Sequence, residues 1–199
     1  MLYLMMKKKI IYSGVFVSVI SVFLLFYAAK HQYFWTTIGS PLYKDKVNKY
    51  AGEYKFDPLF VMAIMKTESN FQKKAKSHKG ALGLMQLLPS TAEEVAMELS
   101  IENYSTEDLH DPETNIRIGF HYLSKLREKY GEDTLAVLAA YNAGMQRVAE
   151  WKDGELPLSI ENIKFPETRN FVKNVMSNYE RLQSIRKIRN LFINESPST

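Results

Sequence analysis

The spacing of hydrophobic residues predicts helices along most of the chain. Apolar side chains recur at intervals of three and four residues, which is typical of helices with one buried face. The pattern predicts helices over residues 44–55, 58–68, 90–99, 112–130, 135–142 and 166–188. No segment alternates between apolar and polar residues for long enough to indicate a strand, so the sequence predicts an all-α domain.

Capping residues mark where several of these helices begin. Asp57 and Asp111 each precede a proline, which places a carboxylate at the N-cap and proline in the first turn. Ser90 opens a sequence that matches a capping box and therefore predicts another helix start.

An apolar segment without charges, residues 10–29, lies near the N-terminus. As a helix, a segment of this length spans about 30 Å, the thickness of the hydrocarbon core of a bilayer. Lysines 7, 8 and 9 precede it, so the positive-inside rule predicts a single-pass anchor with the following residues outside the cytoplasm. A cleaved signal peptide is the alternative, but the bulky Tyr27 and the length of the segment favour an uncleaved anchor.

These features divide the chain into four parts. Residues 1–30 are the predicted cytoplasmic tip and transmembrane anchor, 31–43 a short stalk, 44–193 the helical domain and 194–199 a polar tail. The helical part is long enough to bury a sizeable core.

Composition and charge exclude several classes of function. The chain has no cysteine, and its four histidines form no spaced pair beside a carboxylate, so we predict no metal and no other cofactor. The net charge of +4 comes from basic residues in 1–30 and 163–199, whereas 31–162 carries more acidic than basic side chains. Since a nucleic-acid-binding domain concentrates basic groups on its folded surface, we predict no nucleic-acid partner.

Glu68 is the first candidate for catalytic chemistry. It follows an almost entirely apolar segment, residues 59–65, which is expected to be buried. Because Glu68 lies one helical turn beyond Ile64, we expect its carboxyl to emerge at the mouth of a groove. Loss of water and the negative end of the helix dipole both raise the pKa of a carboxyl, as a general acid near neutral pH requires. The alternative is a glutamate that faces water at a helix end.

The residues after Glu68 form a pattern that resembles a known family. Its parts are Glu-Ser at 68–69, Gly-Ala at 80–81, Gly-Leu-Met-Gln at 83–86 and Pro-Ser-Thr-Ala at 89–92. In order and spacing they resemble the SLT-type lytic transglycosylases, a family of the lysozyme-like superfamily that cuts bacterial peptidoglycan. The resemblance implies a lysozyme-like helical fold for residues 44–193.

Three later segments match the same family in the same order. They are residues 111–123, with Asp-Pro-Glu-Thr-Asn-Ile and Tyr-Leu, residues 139–144, Ala-Ala-Tyr-Asn-Ala-Gly, and residues 166–172, Pro-Glu-Thr-Arg with Phe-Val. The resemblance therefore covers most of residues 45–180. Two positions depart from the family: Lys73 replaces a frequent proline, and Phe171 replaces the usual tyrosine, so its ring packing is expected without a hydroxyl contact.

The resemblance implies a reaction. Glu68 is expected to protonate the leaving oxygen of the β-1,4 bond between N-acetylmuramic acid (MurNAc) and N-acetylglucosamine (GlcNAc). The same glutamate then removes the proton of the C6 hydroxyl, which closes a 1,6-anhydro ring without water, whereas ordinary lysozymes commonly use a second carboxylate. Together with the anchor, this predicts an enzyme of the bacterial cell membrane whose domain contacts glycan strands outside the cytoplasm. The sequence identifies no protein partner.

The resemblance also implies neutral groups that bind the sugars. The family-matched candidates are Ser69, Ser77, Gln86, Asn115, Tyr141 and Asn142, with Met85 as an apolar wall. The hydroxyl of a buried Tyr141 needs a partner, which Glu68 could supply. Asn115 is equally compatible with a role in tying helices together, and Ser77 with a loop serine that meets water.

Two other functions stay open at this point. A hydrolytic lysozyme of the goose type shares the fold and adds water to its product. A catalytically silent wall-binding scaffold keeps its function after Glu68→Gln.

Overall fold

The computed structural model describes residues 18–23, 39–152, 154 and 156–194. The helices of the globular part are α1 Gly39–Tyr54, α2 Pro58–Ser69, α3 Pro89–Glu98, α4 Pro112–Tyr130, α5 Thr134–Ala143, α6 Met145–Trp151 and α7 Pro166–Asn194. A 3-10 helix, Thr106–His110, precedes α4, and isolated β-bridges in the loop after α2 are the strand-like pairings of the described residues. The predicted all-α class is confirmed for the described residues.

The aspartate caps predicted from sequence are present. The carboxylate of Asp57 accepts a hydrogen bond from the Leu59 N–H at 2.9 Å, and that of Asp111 accepts one from the Thr114 N–H at 2.9 Å. Since these bonds satisfy free N–H groups of the first turn, they fix where α2 and α4 begin.

The start of α3 differs from the prediction. The helix begins at Pro89, and its N-cap, Leu88, makes no side-chain cap bond, so the predicted capping box at Ser90 is wrong. Proline in the first turn has the φ angle of a helix and lacks an N–H that would need a partner, so it starts the helix unaided. A capping box is found instead at the 3-10 helix, where Asp108 accepts from the Ser105 N–H at 2.7 Å.

Two helices extend beyond the predicted pattern. Helix α1 begins at Gly39, so residues 39–43 of the predicted stalk are helical, with Pro41 in the first turn, where proline is tolerated. Tyr43 is buried and belongs to the core. The short helix α6 was not predicted, because two turns are too few for a periodic pattern to emerge.

Most of the predicted anchor falls outside the described residues. Within the span 10–29, residues 18–23 are helical. The rest of that span, the cytoplasmic tip, residues 31–38 of the stalk and residues 195–199 of the tail lie outside. Among the described residues, no helix combines the length and apolar character needed to cross a membrane.

Helix α2 is the central element of the compact unit that begins at Tyr43. Its six consecutive residues from Phe60 to Met65 are all buried, as the apolar segment predicts. It packs mainly against α7, while α5 packs against α4, α6 and α7. The C-terminal end of α2 therefore leaves the core beside the loop of residues 70–88.

Candidate active site

Glu68 lies in the last turn of α2, and its side chain is half-buried. Loss of water raises the pKa of its carboxyl to about 8, and the negative charge of Glu167 in α7 adds to this shift. No basic group of the described residues counteracts the shift. The raised pKa predicted for Glu68 is therefore confirmed, with burial as its main cause.

The loop between α2 and α3 is fixed by its own backbone. Leu82 and Leu87 exchange two hydrogen bonds of 2.9 and 3.1 Å, and the Gly83 N–H donates to the Ala75 carbonyl at 2.9 Å. Gly83 has a φ of +77°, and a Cβ at this position would lie 2.2 Å from the Asn115 side-chain nitrogen. Glycine at position 83 thus lets the loop pack directly on α4.

Asn115 ties this loop to its neighbours. Its side chain is fully buried, its Oδ1 accepts from the Met85 N–H at 2.9 Å, and its Nδ2 donates to the carbonyls of Leu82 and Leu109. These three bonds use the amide completely, apart from one oxygen lone pair. Of the two roles considered for Asn115, the structure favours the structural one over contact with sugar.

Ser69 and Met85 also face the interior. The Ser69 hydroxyl lies 2.8 Å from the Leu84 carbonyl and 3.1 Å from the Met65 carbonyl, and the residue is only 7% exposed. The Met85 side chain is fully buried against Gly119, where a Cβ would lie 2.2 Å from the sulfur. These positions argue against the predicted sugar contact of Ser69 and the predicted groove wall at Met85, because neither side chain reaches the surface.

Tyr141 connects α5 to the same loop. Its hydroxyl donates to the Met85 carbonyl at 2.6 Å, so its proton is used on the backbone rather than on Glu68. Burial raises the pKa of Tyr141 well above its ordinary value, and the charge of Glu68 adds to this shift. The ring stacks on Phe171 at 6.3 Å between centroids, as the ring packing predicted for Phe171 requires.

Three of the predicted sugar-binding residues are partly exposed and keep a polar atom free of protein hydrogen bonds among the described residues. Gln86 uses both donors of Nε2 on the carbonyls of Gly83 and Ala75, which leaves Oε1 as an acceptor. The Ser77 oxygen accepts from the Ala81 N–H at 3.0 Å, which leaves its proton. Asn142 accepts from the buried Thr168 hydroxyl at 2.8 Å, which leaves its amide nitrogen as a donor.

Sequence reasoning missed several residues at this site. The charge of Glu167 raises the pKa of Glu68, and the Thr168 hydroxyl donates to the Asn142 side chain. Tyr122 packs against Tyr141 at 5.6 Å between ring centroids. Glu167 and Thr168 belong to the matched segment 166–172, so the signal was present without a role attached to it. Within the part of the chain that the structure describes, no three acidic or histidine side chains are grouped to bind a metal.

The fold and this arrangement around one half-buried glutamate match an established family. The model of the transglycosylase SLT domain matches residues 45–163, and the chain belongs to this family.

Relatives and solved structures agree with this assignment. The chain is 39% identical over 141 residues to the soluble lytic murein transglycosylase of Escherichia coli K12, across 68% of this chain and 22% of the relative. It is 34% identical over 136 residues to the membrane-bound lytic murein transglycosylase C of Histophilus somni, across 63% of this chain and 38% of that protein. The crystal structure of the 70 kDa soluble lytic transglycosylase of E. coli superposes with a TM-score of 0.67 at 37% identity, across 72% of this chain and 24% of that one.

The domain therefore has the all-helical, lysozyme-like fold of the SLT family. The chain spans less than two fifths of the length of the relatives that it matches here. Another solved structure, a complex of the 70 kDa soluble lytic transglycosylase with bulgecin A, superposes with a TM-score of 0.66 at 35% identity, across 77% of this chain and 29% of that one.

Proposed function

We propose that this chain is a peptidoglycan lytic transglycosylase that cleaves the MurNAc–GlcNAc β-1,4 bond with Glu68 as its single general acid and base. The observation that carries the proposal is the half-buried position of Glu68 at the end of α2, where loss of water raises its pKa to about 8. At neutral pH most of this carboxyl is protonated, so it can supply the proton that the leaving oxygen needs. Membership of the SLT family supports the choice of substrate.

The proposed reaction has two proton transfers and consumes no water. Glu68 gives its proton to the GlcNAc O4 as the bond from MurNAc C1 to that oxygen breaks. The resulting carboxylate stabilises the positive charge at C1 and then removes the proton of the MurNAc C6 hydroxyl, while O6 bonds to C1. Glu68 ends the cycle protonated, and the product carries a 1,6-anhydro ring. The hydroxyl belongs to the same sugar, so its proximity replaces an activated external nucleophile.

The partly exposed polar groups suit the binding of sugars. In the proposed complex the Gln86 amide oxygen accepts from an N-acetyl N–H, and the Ser77 hydroxyl and Asn142 amide donate to sugar oxygens. The Tyr141 hydroxyl donates to the Met85 carbonyl and so holds the loop that carries Gln86 in place. Ser69 and Asn115 fix that loop from below.

A hydrolytic, goose-type lysozyme is the second candidate, and one observation favours it. Glu167 is a carboxylate close enough to Glu68 to raise its pKa, and lysozymes commonly use a second carboxylate to activate water. However, Glu167 is exposed, and both of its oxygens accept from Lys79 at 2.8 Å, so it is already engaged. We therefore favour the reaction without water.

Mass spectrometry of the products separates these candidates. The purified chain is incubated with isolated peptidoglycan, and Glu68→Gln and Glu113→Gln variants are treated in parallel. Transglycosylation yields muropeptides that are lighter than the hydrolytic ones by the mass of one water, and Glu68→Gln yields none. Hydrolytic masses would support the lysozyme, and the absence of soluble products from the unmodified chain would support a silent scaffold.

We also propose that residues 10–29 anchor the chain in the bacterial membrane with the SLT domain outside the cytoplasm. Their apolar character and the three preceding lysines support this. The expected result is a chain that detergent, but not high salt, extracts from membranes, with its first 30 residues intact by mass. A mature chain that lacks those residues would support the cleaved signal peptide instead.

A further inference from the structure

An ion pair joins the two sides of the site next to Glu68. The Lys79 ammonium donates to both carboxylate oxygens of Glu167, each at 2.8 Å. Lys79 lies in the turn between Ser77 and Ala81, and Glu167 lies in the first turn of α7. The pair therefore links the turn that carries Ser77 to the helix whose Thr168 orients Asn142.

The same pair is electrostatically coupled to the catalytic carboxyl. Among the described residues, Glu167 is the carboxylate whose charge raises the pKa of Glu68. Burial and then the charge of Glu68 raise the pKa of the Tyr141 hydroxyl in α5, so this hydroxyl stays neutral and adds no charge that acts on Glu68. Burial and then the charge of Arg181 in α7 lower the pKa of Lys66, which lies on the same helix as Glu68. Lys66 is not among the groups that change the pKa of Glu68.

We propose that Lys79 and Glu167 are positioning residues whose ion pair, located between the Ser77 turn and α7, sets the pH range in which Glu68 is protonated. Glu167 favours the protonated form of Glu68 because two negative charges repel each other. Lys79 limits this effect because it neutralises Glu167. The inference rests on the proposed role of Glu68 as a general acid.

Charge substitutions should move the alkaline limb of the rate profile in opposite directions. In Glu167→Gln the negative charge is lost, so Glu68 loses its proton at lower pH and the limb moves to lower pH. In Lys79→Met the charge of Glu167 is no longer neutralised, so the limb moves to higher pH. Both groups are well exposed, at 67% and 72%, so we expect shifts of only about 0.5 pH units, which shrink in high salt.

The test measures kcat/KM of the full chain on isolated peptidoglycan between about pH 5 and pH 10. Plateau rates of both variants should stay within about threefold of the unmodified chain, because neither group transfers a proton. The double variant Lys79→Glu with Glu167→Lys restores the pair but places a positive charge near Glu68, so its limb should move to lower pH than that of Glu167→Gln. Matched controls are Lys74→Met in the same loop and Glu180→Gln in the same helix, both exposed, which should leave the limb unchanged.

The outcomes separate this inference from the proposed function. If Glu68→Gln is inactive while all charge variants keep the alkaline limb of the unmodified chain, the electrostatic role is overturned and the general acid stands. Equal losses of plateau rate in Lys79→Met and Glu167→Gln without a shift would indicate a purely structural clamp and also overturn it. If Glu68→Gln keeps full activity, the proposed function itself fails.

Discussion

Two glutamates of this fold, Glu68 and Glu113, have the same chemistry and opposite electrostatic surroundings. Glu68 is half-buried at the end of α2, and loss of water raises its pKa to about 8. Glu113 lies in the first turn of α4, where Lys46 at 2.5 Å, Lys49 at 2.8 Å and the Tyr50 hydroxyl at 2.7 Å donate to it. These hydrogen bonds, that of Lys46 first, lower its pKa to about 2.

The difference shows how one fold assigns two roles to one residue type. Glu113 is ionised at neutral pH and joins α1 to α4, so it has no proton to give there. Glu68 has no cation within the described part of the chain to stabilise its charge, so at neutral pH it keeps a proton that it can transfer. Among the described residues, the proposed catalytic carboxyl has no charged partner that lowers its pKa, whereas the structural carboxyl accepts hydrogen bonds from three side chains.

The largest expected effect is the loss of catalysis in Glu68→Gln. The variant keeps the shape of the side chain but cannot exchange the proton, so we expect release of soluble fragments from peptidoglycan to fall by about 1,000-fold or more. Glu113→Gln, the matched control, should stay within about threefold. Equal activity of the two variants would remove the distinction between the carboxylates.

The next effect concerns stability at alkaline pH. The pKa of Glu68 is about 8 in the folded chain and about 4.5 in the unfolded chain. Below pH 4.5 the carboxyl is neutral in both states and costs no stability. As pH rises from 4.5 to 8 the unfolded chain ionises more readily than the folded one, so the free energy of unfolding falls. Urea unfolding should show that the unmodified chain loses about 3 kcal/mol relative to Glu68→Gln between pH 5 and pH 9. Parallel curves would contradict the raised pKa.

Glu113→Gln should show the opposite dependence on pH, with a smaller magnitude. The lowered pKa of Glu113 stabilises the fold above about pH 4.5, and this contribution is lost as pH falls toward 2. The Glu113 side chain is 34% exposed, so screening by solvent leaves an expected loss of only about 1 kcal/mol at pH 7. The two stability curves should converge near pH 2, and a constant offset would argue for a packing effect instead.

The smallest effect is expected from Lys46→Met. The Lys46 side chain is 41% exposed, and Lys49 and Tyr50 continue to donate to Glu113 after its removal. The free energy of unfolding at pH 7 should fall by about 0.5 kcal/mol at low salt, and this difference should shrink in high salt. A loss larger than that of Glu113→Gln would mean that Lys46 has a role apart from this pair.

Much of the fold and the identity of Glu68 could be predicted from the sequence. The Asp-Pro pairs predicted the starts of α2 and α4, and the apolar segment before Glu68 predicted a carboxyl at the edge of the core. These features follow from local chemistry, since capping and burial depend on neighbours along the chain.

The direction of individual side chains could not be predicted in the same way. Met85 and Gln86 are adjacent in the matched motif, yet Met85 is fully buried and Gln86 is partly exposed. The backbone of Gln86 has a φ of +46°, in the left-handed region. Tyr141 bonds to a backbone carbonyl 56 positions away rather than to Glu68. Both outcomes depend on contacts between segments that are distant in the sequence. A sequence motif identifies such residues but does not show which way their side chains point.

Titration of the Glu68 carboxyl carbon by NMR tests the central claim most directly. The spectrum of the selectively labelled chain is compared with that of Glu68→Gln, so that the signal that disappears identifies the group. We expect this carbon to titrate with a pKa of about 8. A midpoint near the ordinary value of 4.5 would mean that Glu68 is ionised at neutral pH and cannot be the general acid.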